Sequence, residues 1–148
     1  MERAFVAENE KVRNKLISLA KTIRDEDADK SDEEGWTIGV VFAHIAFWDQ
    51  RTLVLLKRWR RSGVKPSPLD MDVINESLVP FLKAIPLSTA IDIAMATAEK
   101  VCREIEGLPD SLIREIEALG DNRRLNRHEH WLMHIDQVEK ILRSSKGA

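Results

Sequence analysis

Apolar residues recur at helical spacing along nearly the whole chain, and no stretch alternates apolar with polar residues over a strand's length. That restricts the fold to packed helices. Phe5, Val6, Val12, Leu16, Leu19 and Ile23 recur at spacings of three, four and seven, which predicts a first helix over about 3–24. From Thr37 to about Ser62 the apolar residues are denser still: Ile38, Val40, Val41, Phe42, Ala43, Ile45, Ala46, Phe47 and Trp48 leave little polar face, so this helix is expected to be buried on several sides. Thr37 suits its N-cap. Lys57, Arg58, Arg60 and Arg61 suit its C-terminal end, where the helix dipole favours cations, and Gly63 closes it.

Prolines mark 63–69 as a loop, and a shorter helix is expected over Asp70–Ala84, kinked or ended at Pro80. A third long helix is expected over Thr89 to about Glu106, stopped by Gly107. A short one follows over Asp110–Leu119, stopped by Gly120, and a last long one runs from an Asp121 cap to about Arg143. Four long amphipathic helices predict an all-α fold, a four-helix bundle, built as a single domain over 1–148. The link between the second and third long helices is about 25 residues, well beyond the 2–8 that join adjacent antiparallel helices. It is long enough to cross the bundle, so those two helices are expected to run parallel.

Lys plus Arg number 23 and Asp plus Glu 25, a formal charge of −2, which argues against nucleic acid as the main partner. The single cysteine, Cys102, excludes an intramolecular disulfide and suits a reducing compartment. No secretory leader pattern and no run of about 18 apolar residues is found, so a cytoplasmic protein with no membrane span is expected.

Chemistry points to the histidines. His130 and His134 lie four apart on the last predicted helix, on one face, within reach of a common ion. His128 is about 200° around the helix from His130 and does not share that face. His44 sits in the most apolar part of the second helix, where a buried ring needs a partner: a backbone carbonyl, a carboxylate or a metal. Three neutral histidines with an open fourth position describe a catalytic type of zinc site, and nickel, cobalt or iron also accept such ligands. The plainer reading keeps His44 as a satisfied core residue and leaves His130 and His134 on a polar face.

Gly35-Trp36-Thr37, followed by Val41-Phe42-Ala43-His44-Ile45-Ala46-Phe47-Trp48-Asp49, resembles the second-helix signature of the DinB/YfiT-like superfamily. Asp72-Val73-Ile74-Asn75-Glu76 is similar to its connecting segment, as in relatives of the mycothiol-dependent maleylpyruvate isomerase. Glu129-His130-Trp131-Leu132-Met133-His134-Ile135-Asp136-Gln137-Val138 resembles its last-helix motif. The resemblance implies a bundle of up-down-down-up course. It also implies a divalent metal, zinc or nickel, held by His44, His130 and His134, and chemistry with a low-molecular-weight thiol.

Other features are weaker. Asp25, Asp27 and Asp29 imitate the start of an EF-hand loop, but Lys30 and Trp36 stand where Gly and Glu are needed, so a solvated linker is expected. His128-Glu129 begins a His-Glu-x-x-His motif that fails at Leu132. Lys57 to Arg61 with Trp59 could touch phosphate, yet a helix C-terminus attracts cations anyway. Cys102 is expected to fill core rather than act as a nucleophile. Trp48 and Trp131 are candidates to wall a pocket, and Glu129 and Asp136 are expected to point away from the histidines. Two functions follow. One is a metal-dependent enzyme activating a thiol or water against a small electrophile. The other is a non-catalytic bundle that binds a small molecule or a partner, with a structural metal or none. Homodimerisation is expected in either case.

Overall fold

A computed structural model of the chain describes residues 2–144. They form six α-helices: α1 (Ala4–Thr22), α2 (Ile38–Ser62), α3 (Met71–Lys83), α4 (Leu87–Glu106), α5 (Asp110–Leu119) and α6 (Arg127–Ser144). No strand occurs among the described residues, only an isolated bridge between Ser31 and Thr37.

The dense apolar run makes α2 the central helix. Ile38, Val40, Val41, Phe42 and Ile45 are fully buried, and α2 packs against α3, α4 and α6. The Thr37 side chain accepts the Val40 N–H at 3.2 Å, the expected cap. By length and composition α2 could cross a membrane, but 78% of its most apolar window is covered by the rest of the protein. The core continues through Val12 and Leu16 of α1, Ala94, Ala98 and Val101 of α4, Ile113 and Ile116 of α5, and Trp131 and Val138 of α6.

Contacts fix the helix directions. Gly39 lies against Leu87, where a β-carbon would stand 3.6 Å from the Leu87 Cα, and Arg60 pairs with Glu104 at 3.4 Å. Start meets start and end meets end, so α2 and α4 run parallel, as the long link implies. Arg3, just ahead of α1, bonds the Glu106 and Leu108 carbonyls at the end of α4, so α1 and α4 are antiparallel. His44 meets His134 while Asp49 meets Arg127, so α2 and α6 are antiparallel too.

Three expectations need correction. The last helix does not start at an Asp121 cap. A 3-10 turn occupies Asn122–Arg124, and α6 starts at Arg127. The turn is held from outside itself: Asn9 of α1, 1% exposed, donates to the Leu125 carbonyl at 2.8 Å and accepts the His128 N–H at 2.9 Å. Its side chain thus does the capping that a local residue would otherwise do. Pro80 does not end α3, which runs on to Lys83; it lies on an exposed face, where water can satisfy the Glu76 carbonyl that a proline cannot serve. The acidic stretch is not simply solvated. Asp27 is buried, taking Lys30 at 2.7 Å and the Arg24 N–H at 2.9 Å, and Asp32 accepts the Glu34 and Trp36 N–H groups.

Candidate metal centre

The antiparallel packing of α2 on α6 brings His44 to the His130–His134 pair. One ring nitrogen from each of the three lies within 4.8 Å of the other two. Ring centroids are 4.5 Å apart for His130 and His134, 4.6 Å for His44 and His134, and 5.4 Å for His44 and His130. The two α6 rings approach through Nε2, at 3.1 Å. Two nitrogens bound tetrahedrally to one ion at about 2.0–2.1 Å stand roughly 3.3 Å apart, so that pair is already at ligand spacing.

His44 Nδ1 is sealed from solvent and has no hydrogen-bond partner. The carbonyl or carboxylate that a satisfied core histidine would need is not there. A buried ring with an unpartnered nitrogen, grouped within ligand reach of two other imidazoles, fits a metal ion. Burial holds all three imidazoles neutral, the form that ligates: His44 is lowered to about 3, chiefly by desolvation and then by His134 and Arg127. His130 and His134 are lowered for the same first reason, with Gln137 partly opposing it at His134.

Hydrogen-bond partners fix the tautomers, by inference from the network. Arg127 Nη2 can only donate, so His130 Nδ1 accepts from it at 3.3 Å and the His130 proton sits on Nε2. That proton points at His134 Nε2. His134 then carries its own on Nδ1 and donates to Gln137 Oε1 at 2.7 Å, and Gln137 Nε2 donates to Asp32 Oδ2 at 2.9 Å. His134 is therefore set with Nε2 free, by a partner of the kind that orients metal-binding histidines. His130 has to give up its Nε2 proton to ligate, and Arg127 stands at its other nitrogen. Arg127 is itself held by Asp49, fully buried in α2, whose two oxygens accept Arg127 Nε at 2.9 Å and Trp131 Nε1 at 2.8 Å.

A cavity of about 520 Å³ opens beside the triad. Trp36 and Trp48 wall it, and Asn75, Gln137 and Arg127 supply polar groups. Trp48 Nε1 donates to Asn75 Oδ1 at 2.8 Å, tying α3 to α2 at the rim. Trp131 does not wall the cavity: it is fully buried and spends its N–H on Asp49. Glu129 lines the cavity, against expectation, because the first turn of α6 forms part of its wall; Asp136 pairs instead with Lys140 on the exposed side. His128 bonds Asn9 and takes no part in the triad. Cys102 is buried outside the cavity, its thiol pushed up to about 12 by desolvation, which keeps it a non-nucleophilic core residue. Trp59 is 3% exposed and donates to the Lys65 carbonyl, so it offers no stacking face beside the basic helix end.

Sequence reasoning missed Asp32, Asp49, Arg127 and Gln137. Asp49 left a trace: a carboxylate one residue past the apolar run of α2, on a helix expected to be buried on several sides.

A family model described as the DinB superfamily matches residues 8–138, most of the chain. The chain belongs to the DinB superfamily. The matched span holds all three triad histidines and Gln137, and it includes the motifs on α2 and α6 that carry the resemblance. Neither curated proteins nor solved structures gave a match.

Proposed function

We propose that this DinB-superfamily protein binds one divalent transition ion, zinc or nickel, through His44, His130 and His134, and uses it as an enzyme acting on a small electrophile. The observation that carries this is His44, its buried Nδ1 without a partner, grouped within ligand reach of two Nε2-paired histidines at the side of an open cavity. Three protein ligands leave a fourth position for a small molecule. A bound ion supplies Lewis acidity there, lowering the pKa of a coordinated low-molecular-weight thiol or water so that it is a nucleophile near neutral pH.

The chain's own groups do the rest. The Asp32–Gln137 relay fixes the His134 ring, and Asp49 holds Arg127 in place beside His130 Nδ1. Trp36 and Trp48 exclude water from one side of the cavity, and Asn75 stands ready to orient a polar group. Glu34 and Glu129, which line the cavity, are the carboxylates available there for proton transfer with solvent. A thiol transferase-like conjugation or isomerisation is the reaction this suits.

We also propose the architecture implied by resemblance: a single-domain four-helix bundle of α1, α2, α4 and α6, with up-down-down-up course. It is supported by the pairings α1–α4, α1–α6, α2–α4 and α2–α6 and by the helix directions above. A cytoplasmic setting suits the reduced cysteine, and a homodimer suits the exposed Val73 and Phe81 on α3.

The test is metal content. Wild-type protein should carry about one equivalent of transition metal, as a single three-ligand site requires, and His44→Ala should lose most of it while remaining folded. Equal metal in both would refute the site. Metal-loaded protein that turns over no electrophile with any cellular thiol, or with water, would favour the second reading, a non-catalytic binding bundle.

A further inference from the structure

A second cavity of about 410 Å³ adjoins the first and shares Met71, Arg123 and Arg124 with it. Its other walls include Arg51, Ser67 and Asp121. Four guanidinium groups (Arg51, Arg123, Arg124 and Arg127) therefore line the two connected spaces. Two of them have carboxylate partners: Arg127 has Asp49, and Arg124 Nε meets Asp121 at 3.2 Å. Arg51 makes hydrogen bonds only to Ser67, through one terminal nitrogen, and Arg123 is exposed with no side-chain partner among the described residues. Within the second cavity Arg51, Arg123 and Arg124 face a single carboxylate, Asp121, so two positive charges are left over there; Glu34 and Glu129 line only the first cavity. Arg124 is only 7% exposed and Arg51 half-buried, so solvent screens the repulsion among these groups poorly. Burial, with repulsion from Arg127, pushes both guanidinium groups down from their ordinary range, against the opposing pull of Asp121.

Such an arrangement is stabilised by an anion, and guanidinium forks are well matched to planar carboxylates and to phosphates. We propose that the second cavity is an anion subsite, in which Arg51, Arg123 and Arg124 take the carboxylate or phosphate end of a molecule whose other end reaches the histidines. The assignment of that other end rests on the reading of the triad as the reaction centre; the anion subsite itself does not. The substrate class is thus an acidic small molecule, either the electrophile or the thiol, rather than a neutral one.

The first test needs no metal. Succinate, its uncharged diamide succinamide, and inorganic phosphate are titrated calorimetrically into metal-free protein. Wild type should bind succinate, phosphate or both at least about tenfold more tightly than succinamide, the size expected of a charge-assisted contact. Arg123→Gln, on an exposed side chain, should remove about tenfold of that advantage with thermal stability unchanged, and Arg51→Gln should do the same. Which anion binds tells carboxylate from phosphate. No preference for either anion over succinamide, or a preference untouched by both variants, overturns the subsite.

The second test reads the link to the histidines. In cobalt-loaded protein, mercaptosuccinate should produce a sulfur-to-cobalt charge-transfer band at about tenfold lower concentration than neutral thioglycerol, and Arg123→Gln should abolish the difference. Equal concentrations would overturn the link. Protein that takes up no cobalt fails as a metal site, and the metal-free titrations still decide the subsite.

Discussion

Asp49 offers the sharpest test of how this site is held. Its carboxylate is 0% exposed and has two donors, Arg127 Nε at 2.9 Å and Trp131 Nε1 at 2.8 Å. Arg127 is 3% exposed. Burial raises the Asp49 carboxyl, while Arg127 and the Trp131 N–H pull it back down. Asp49→Ala would strand a buried guanidinium, a change that costs about 3–5 kcal/mol, and would leave an indole N–H unpaired, about 1–3 kcal/mol when counted alone. The two overlap, since one deletion causes both. A total near 4 kcal/mol is a large share of the ~5–15 kcal/mol that holds a domain together, and it corresponds to a fall in Tm of about 8–16 °C at this chain length. Urea denaturation of metal-free protein, followed by circular dichroism, measures it. Asp49→Leu combined with Arg127→Met replaces the pair with apolar groups and should recover most of the loss. If Asp49→Ala stays within about 1 kcal/mol of wild type, or the double variant is as unstable as the single one, the buried pair is not what fixes α2 to α6.

The relay on His134 predicts a second result. Gln137→Ala should weaken metal binding about 10–100-fold, the usual effect of removing such a partner, with little change in stability; a chelator competition that shows unchanged affinity would remove Gln137 from the site. The depressed histidines set a pH dependence. The unfolded chain takes up protons near pH 6.5, while folded His44 resists until about 3. Its contribution is therefore complete above 6.5 and is lost as pH falls towards 3, at about 1.4 kcal/mol per pH unit. Urea midpoints of metal-free protein between pH 7 and 4.5 should fall more steeply for wild type than for His44→Leu, and parallel slopes would contradict the sign. Sedimentation at micromolar concentration should show a dimer that Phe81→Glu converts to monomer, given that Phe81 is 71% exposed; a wild-type protein that is monomeric throughout would dismiss the dimer.

The helices and the histidine pair were legible in the order of residues along the chain. Spacing alone put His130 and His134 on one face, because an α-helix places residues four apart side by side. The density of apolar residues made α2 central, because such a helix must be covered on several sides. The length of the link was enough to run α2 and α4 parallel. Tertiary structure decided what local rules do not encode. His44 joins the pair only because α2 crosses α6 in one register, with Asp49 locked onto Arg127 and Trp131. The start of α6 is set by Asn9, more than a hundred residues away in sequence. Asp32 looked like one of a run of solvated acids until folding laid it against Gln137. Hydrogen bonds between distant segments leave no periodicity in the chain, so their partners become visible only when the helices are packed.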